Sequence, residues 1–303
     1  MKIPEGVNDA TVKVGAKSVT LTNLNKVFFP QRGYTKRDLL QYYADVAPYL
    51  VPNLRNRAMV MKRYPNGAEG DFFFMKRTPQ PHPAWLRLCP IEHSAGVVDY
   101  PMVDDLAALL WVVNLGCIDL NQWYATCDDI ERPDYLAFDL DPGTASFDDV
   151  REVALLVRDG LAGLGMKSYP KTTGSKGIHV YVPIVRGPLQ KEVWAFTKSF
   201  ARTVAHVEPK LTTIEYRKDR RPRGSVLVDY NQNRSGATLA SVYSVRPTPS
   251  ASVSAPVTWD EVERGIAIED FRIDNMRDRI AKVGDLWAPL TAKRGRVNLA
   301  RFV

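Results

Sequence analysis

Long apolar runs are missing from this chain. None approaches the roughly 18 residues that a membrane-spanning helix requires, which excludes an integral protein of that kind. The opening stretch, MKIPEGVNDATVKVG, has no apolar h-region, so no secretory leader is expected. Cysteine is scarce. Cys89, Cys117 and Cys127 are odd in number and widely spaced, which fits free thiols in a reducing cytosol better than a disulfide framework. Cys89, His93 and the nearby His82 hint at metal spacing, but one cysteine and two histidines do not make a structural zinc site. There is no internal repeat and no G-x-x-x-x-G-K-[ST] phosphate loop. What is present is ordinary globular composition, with room in 303 residues for one large domain or two small ones. A net charge of +7 favours polyanionic partners, nucleic acid first among them in a cytosol.

Periodicity predicts a strand, turn and apolar tether over 18–30, then a helix over 35–54 capped by Thr35 with Asp38 completing the box. Strands are expected over 58–67, 71–77 and 97–103, and a buried helix over 104–116. A core strand over 134–143 leads to a helix over 146–165 with Ser146 as its cap, then strand, glycine turn and strand over 167–184, and a helix over 190–207. Strands over 225–233 and 238–247 are followed by a Pro/Ser/Ala-rich connector over 247–256 and two helical patterns, 258–265 and 269–282. Strands and helices mix without strict βαβ alternation. The expected class is α+β, with mixed or antiparallel central sheets flanked by helices.

Three motifs carry chemistry. In DYLAFDLDPG, Asp139 and Asp141 are two residues apart at a strand end, so both point away from the face that Leu136, Phe138 and Leu140 give to the core. Two carboxylates so placed repel unless a cation sits between them, and hard oxygen donors suit Mg²⁺ or Mn²⁺. In TTGSKGIHVYVPI, Gly174 and Gly177 flank Ser175 and Lys176, a turn able to aim N–H groups and an ammonium at a phosphate, with Thr173 before it and His179 on the following strand. In GSVLVDYNQN, an apolar strand ends in Asp229, a third carboxylate for a two-metal site. Cations stand beside aromatics at Lys62–Arg63 and at Phe72–Phe73–Phe74–Met75–Lys76–Arg77, a composition suited to stacking unpaired bases, with one of Phe72 and Phe74 expected in the core. YRKDRRPRG, just before the Asp229 strand, is a candidate grip on a phosphate backbone, and Arg246 a candidate triphosphate contact.

Taken together, FDLDP, TTGSKGIHVYVP, VLVDYNQN and SVYSVRP resemble the archaeo-eukaryotic primase superfamily, in its bacterial branch of ligase D polymerase domains and their stand-alone, ligase C-associated relatives. The resemblance runs from LTNLNKVFFP through SVRP. It implies a single primase-polymerase catalytic domain over 1–303. A template and 5′-phosphate part would lie over about 1–130, a metal and nucleotide core over about 131–250, and C-terminal helices over 258–303. It implies template-directed addition of rNTPs or dNTPs to a primer 3′-hydroxyl, filling short gaps in end joining or excision repair. By the same resemblance two Mn²⁺ or Mg²⁺ ions fall to Asp139, Asp141 and Asp229. The incoming nucleotide falls to Thr173, Ser175, Lys176, His179, Arg246 and Asn121. A 5′-phosphate falls to Asn23, Lys26 and Lys36, and the template strand to Lys62, Arg63, Phe73 and Phe74. Gapped or broken double-stranded DNA and a separate DNA ligase are the implied partners, with no membrane, and the bacterial cytoplasm, on the nucleoid during repair, is the implied location. Two departures stand out. Thr173 replaces a serine, which keeps the hydroxyl. IDLNQW replaces the E-[IV]-H-P-W pattern, with Asn121 at the histidine position and Asp119 at the glutamate, which leaves the choice between ribose and deoxyribose open.

Rival readings differ in what they require. A primase would need only a different initiating site. A catalytically silent DNA-end-binding module would need the basic patches but not three aspartates, which repel DNA without metal. A phosphodiesterase or nuclease would not need Lys176 and Arg246.

Overall fold

A computed structural model describes residues 1–302. The N-terminal part begins with two hairpins, β1 (Ala10–Val14) with β2 (Lys17–Leu21) and β3 (Val27–Phe29) with β4 (Tyr34–Thr35). Helix α1 (Lys36–Leu54) starts where the sequence placed it: Thr35 accepts from the Asp38 amide and Asp38 accepts from the Thr35 amide at 2.6 Å. Then come β5 (Met59–Arg63), β6 (Phe73–Met75), a hairpin of β7 (Leu88–His93) and β8 (Gly96–Pro101), the buried helix α2 (Leu106–Asn114) and β9 (Cys117–Gln122). An antiparallel sheet in the order β6-β5-β9 forms here.

The remaining part is built on β10 (Tyr135–Asp141), α3 (Phe147–Gly163), β11 (Tyr169–Thr172), β12 (Ile178–Pro183), α4 (Gln190–Val207), β13 (Thr212–Thr213) and β14 (Val226–Asp229). Its five strands run β11-β12-β10-β14-β13, antiparallel except for the parallel β13–β14 pair. Short helices α5 (Trp259–Arg264), α6 (Met276–Val283) and α7 (Ala288–Thr291) close the chain. This is the expected α+β class with mixed sheets. Among the described residues no helix is long and apolar enough to cross a membrane.

Alternation along β10 decides what faces where. Leu136, Phe138 and Leu140 are fully buried under α3 and α4, and the Phe138 ring lies 5.0 Å from that of Phe200. Val150, Val153, Val157 and Leu161 give α3 its buried stripe at helical spacing. Each such apolar side chain contributes about 1.5–3 kcal/mol on burial. That stabilisation pins the register, and the register turns Asp139 and Asp141 to the opposite face.

Four expectations need correction. Cys89 and Cys127 form a disulfide, and only Cys117 is free. Counting parity missed it, because the β7–β8 hairpin folds Cys89 back onto a loop 38 residues later. Residues 238–247 form no strand; Tyr243 takes a positive φ of 60°. Their backbone is held by Tyr42, which donates to the Tyr243 carbonyl at 2.8 Å, and by Leu120, whose carbonyl accepts from the Ser241 amide at 2.8 Å. The Pro/Ser/Ala stretch over 247–256 is no exposed connector. Ala251, Ser252, Val253, Ser254 and Ala255 are fully buried, and Ser252 donates to the Gly174 carbonyl. Small residues stand there because a Cβ at Gly174 would already meet Val253 at 2.7 Å. Finally, the 269–282 helix begins only at Met276, after a single tight turn at Ile268–Asp270. β7 and β9 were not anticipated as strands; Pro90 in the one and the continuous burial of the other hide the two-residue period.

Candidate active site

Strand pairing sets four polar residues in one row across the large sheet. Lys171 on β11 is opposite His179 on β12, His179 opposite Asp139 on β10, and Asp139 opposite Asp229 on β14. Asp141 lies two residues beyond Asp139 on the same face. In front of Asp139, Asp141 and His179 opens a cleft of about 380 Å³, and Lys171 and Asp229, at the two ends of the row, lie outside its lining. Asp139, Asp141 and His179 form its floor, Thr173, Ser175 and Lys176 one rim, and Lys62, Phe74, Asp119, Asn121 and Arg246 the other walls.

The acids are held individually. His179 Nε2 lies 3.3 Å from Asp139 Oδ1. Arg221 Nη1 donates to Asp141 Oδ2 at 3.1 Å. Asp229 Oδ1 accepts from Tyr216 Oη and from the Asn231 amide, both at 2.7 Å, and its Oδ2 accepts from Gln232 at 2.8 Å. Burial, and more weakly the neighbouring Asp139, raise the Asp229 carboxyl above its usual range despite those bonds. Burial also works to raise Asp139, but the His179 contact with the Lys171 and Arg246 cations behind it outweighs this, and its carboxyl sits low.

Among the described residues no three acidic, histidine or cysteine side chains converge closely enough to hold a metal ion as they stand. In donor chemistry the site nevertheless fits a hard divalent cation. Its acidic donors are carboxylate oxygens on neighbouring strand ends, two of them on one strand face, with the His179 ring turned to Asp139. Their mutual repulsion is the physical cause for which a cation is the remedy.

The glycine turn is organised differently from the reading that its N–H groups face outward. Those of Ser175, Lys176 and Gly177 all converge on Thr173 Oγ1, at 3.0–3.1 Å. Thr173 is therefore the hub of the turn, and the exposed side chains of Ser175 and Lys176 are what it presents to the cleft. Arg246 joins turn to wall. It donates to the Thr173 carbonyl at 2.7 Å, and its Nε lies 3.4 Å from Asp119 Oδ2. Asp119 is buried, with Lys62 Nζ at 3.9 Å, and Asn121 donates to the Asp119 carbonyl at 3.1 Å.

The residues assigned to a template strand divide into two sets. Lys62 pairs in register with Phe74, and its ammonium lies 4.1 Å from the Phe72 ring centre and 5.7 Å from that of Phe74. Arg63 pairs with Phe73 and sits over it at 5.2 Å. Phe72, Phe73 and Phe74 are 50%, 43% and 60% exposed, so neither Phe72 nor Phe74 is a core residue as expected. Arg63 instead lines a second pocket, of about 270 Å³, together with Asn23, Lys26 and Lys36. Lys36 is largely buried and donates to the Thr22 carbonyl at 2.7 Å; Lys26 donates to the Pro65 carbonyl at 2.7 Å and to Asn66 at 2.9 Å. The sequence-assigned phosphate residues thus share one cationic hollow.

Sequence reasoning missed Lys171, Arg221 and Tyr216. Lys171 was detectable, since it alternates with Thr172 and so shares the sheet face of His179's row. Nothing in YRKDRRPRG singled out Arg221 from its neighbours; Arg217, Lys218, Arg220 and Arg223 are exposed.

An acidic floor facing a cationic glycine turn across one cleft, on a mixed sheet, is the arrangement expected of a primase-polymerase. Comparison with known proteins agrees: the family model described as LigD, primase-polymerase domain, matches residues 35–287, and the chain belongs to that family. It is 34% identical over 277 residues to the multifunctional non-homologous end joining protein LigD of Mycolicibacterium smegmatis, covering 90% of this chain and 36% of that protein. The bifunctional non-homologous end joining protein LigD of Bacillus subtilis is 32% identical over 267 residues, covering 87% of this chain and 42% of that protein. Among solved structures, the polymerase domain from Mycobacterium tuberculosis ligase D in complex with DNA superposes with a TM-score of 0.85 at 32% identity, covering 91% of this chain and 98% of that one. The chain spans well under half the length of these curated relatives.

Proposed function

We propose that this protein is a template-directed nucleotidyltransferase that adds rNTPs or dNTPs to a primer 3′-hydroxyl at short gaps bearing a 5′-phosphate, in DNA repair by end joining or excision. The observation that carries the reading is the opposition, across a single cleft, of Asp139 and Asp141 to Lys176 and Arg246 in a member of the LigD primase-polymerase family. Asp139, Asp141 and Asp229 would hold Mn²⁺ or Mg²⁺, which would supply charge neutralisation at the triphosphate and a lowered pKa at the primer hydroxyl. The protein's own part is positioning. Lys176 and Arg246 offset phosphate charge, and Thr173 fixes the turn that carries Lys176. Phe72 and Phe74 give stacking faces for unpaired bases, with Lys62 against them. A separate ligase would seal the product.

The test is primer extension on a short gapped duplex with a 5′-phosphate and Mn²⁺, with rNTPs and dNTPs run in parallel. Template-directed addition is expected. Tight gap binding without any addition would leave an end-binding module and overturn the reading.

The second pocket supplies two more expectations. Lys26→Ala should weaken gap binding about tenfold when the gap carries a 5′-phosphate, the size of one charge-assisted hydrogen bond, and little when it does not. Equal losses on both substrates would remove the phosphate from this pocket. Burial, and next the charge of Lys26, push the Lys36 ammonium down to about 8. Lys36 therefore loses its charge as pH rises through that region. The affinity gained from the 5′-phosphate should shrink with rising pH, with the fall displaced upward because a bound phosphate favours the ammonium. Lys36→Arg stays charged and should flatten the profile. Competition binding with phosphorylated and unphosphorylated gaps from about pH 7 to about pH 9.5 reads both.

A further inference from the structure

Lys171 is a lysine with no exposed surface, one strand away from the cleft and outside its lining. Burying an ammonium is costly, and a methionine would fill the same space without that cost. The structure gives the ammonium an acceptor for each of its three N–H groups. His179 Nδ1 lies at 2.7 Å, the Ala240 carbonyl at 2.9 Å and Ser254 Oγ at 2.5 Å. Ser254 spends its own proton on the Thr172 carbonyl at 2.9 Å, so its oxygen is free only to accept. Burial pushes the Lys171 ammonium well below its usual range, and a neutral amine could meet the same three groups by giving its two N–H bonds to Ala240 and Ser254 and its lone pair to an Nδ1–H. That state would leave His179 Nε2 bare against the Asp139 carboxylate, which sits low, so the ammonium is the form that satisfies both sides of the ring.

We propose that Lys171 is the positioning residue that fixes the tautomer of His179, and thereby makes the cleft face of that ring a hydrogen-bond donor. An ammonium has donors only, so Nδ1 must be the acceptor and the ring proton of neutral His179 must sit on Nε2. Nε2 is the atom 3.3 Å from Asp139 Oδ1, and the N–H aims there. The opposite tautomer would set a bare nitrogen lone pair against a carboxylate, at the floor of a cleft read as binding a polyphosphate. The same Nζ also grips Ala240, which lines the cleft with Thr238 and Leu239, and Ser254, in the segment packed under the Gly174 turn. One buried charge thus ties the histidine, the back wall and the turn together.

The experiment is a long-range ¹H–¹⁵N correlation of the histidine rings at neutral pH in the whole protein. The His179 signal is assigned by its loss in His179→Gln. In the unmodified protein the expected pattern is Nε2 protonated and Nδ1 bare. A ring protonated on Nδ1, or on both nitrogens, overturns the proposal with no variant needed. In Lys171→Met the fixed pattern is expected to give way to a mixture of tautomers or to the Nδ1–H form. KM for the incoming nucleoside triphosphate should rise about tenfold, with gapped-DNA affinity within about twofold of the parent. A variant that keeps the Nε2–H pattern and the parental KM, and changes only in thermal stability, would make Lys171 a packing residue and overturn the proposal. The kinetic arm rests on the nucleotide site proposed above and the spectral arm does not, so the two readings fail separately.

Discussion

Asp139→Asn is expected to reduce nucleotide addition about a thousandfold, or about 4 kcal/mol of transition-state stabilisation, while leaving gap binding nearly intact. Asparagine keeps the size of the side chain and an oxygen to accept from His179 Nε2, so the buried row across the sheet survives. What it loses is charge. If the floor works by holding cations over a polyphosphate, charge is the quantity that matters, and a shape-preserving change should be nearly as damaging as Asp139→Ala. Asp229→Ala should abolish addition as well, but at a further structural cost. It leaves Tyr216 and Gln232 without the acceptor they now share. Single-turnover extension on a gapped duplex, beside fluorescence anisotropy of the same duplex, separates chemistry from binding. Retained synthesis in Asp139→Asn would remove the carboxylate floor from the mechanism. Weakened binding with normal turnover would make these acids structural.

Gly177→Ala is the second large effect. A Cβ at Gly177 would fall 2.1 Å from the Leu140 carbonyl oxygen, an atom of the strand that carries both floor aspartates. Backbone cannot step aside as a flexible side chain does. Either β12 separates from β10 or Leu140 moves, and both displace Asp139 and Asp141 relative to Lys176. The expected cost is about 3 kcal/mol, the upper range for overpacking, together with loss of addition. Gly187 makes the control: an added Cβ there meets nothing closer than 4.0 Å, so Gly187→Ala should leave the chemical denaturation midpoint almost unmoved. Equal midpoints for the two variants would mean that the strands have room that the packing denies.

The contrast between these two glycines bears on what the sequence could disclose. The floor was legible because strand alternation is strict. Once Leu136, Phe138 and Leu140 were placed in the core, Asp139 and Asp141 had one face left. The capping boxes of α1 and α3 were legible for a similar reason, since Thr35 with Asp38 and Ser146 with Asp149 satisfy orphan amides locally. What escaped depends on contacts distant in sequence. Arg221 meets Asp141 across 80 positions, and Lys171 meets Ser254 across 83. The Ser- and Ala-rich stretch looked like a linker because small residues have two causes, exposure and tight packing, and composition does not separate them. Thr173 shows a subtler limit. Its hydroxyl was expected to face a ligand, yet the turn's own amides take it first.

Lys62 and Arg63 are consecutive on β5, yet one leans over Phe72 and Phe74 beside the cleft and the other lines the hollow of Lys26 and Lys36. That single strand is a partition one backbone thick. The spacing between its two sides is set within the strand itself, by the pleat and by the shift in register against β9 that falls between Lys62 and Arg63. A frame error of one residue in β5 would trade the occupants of its two sides, sending the guanidinium to Phe72, Phe74 and the cleft and the ammonium to Phe73 and the hollow. On the function proposed above, the strand works as a gauge. Substitutions on its faces should tune how tightly each side holds, and only an insertion or deletion within it should change the distance being measured.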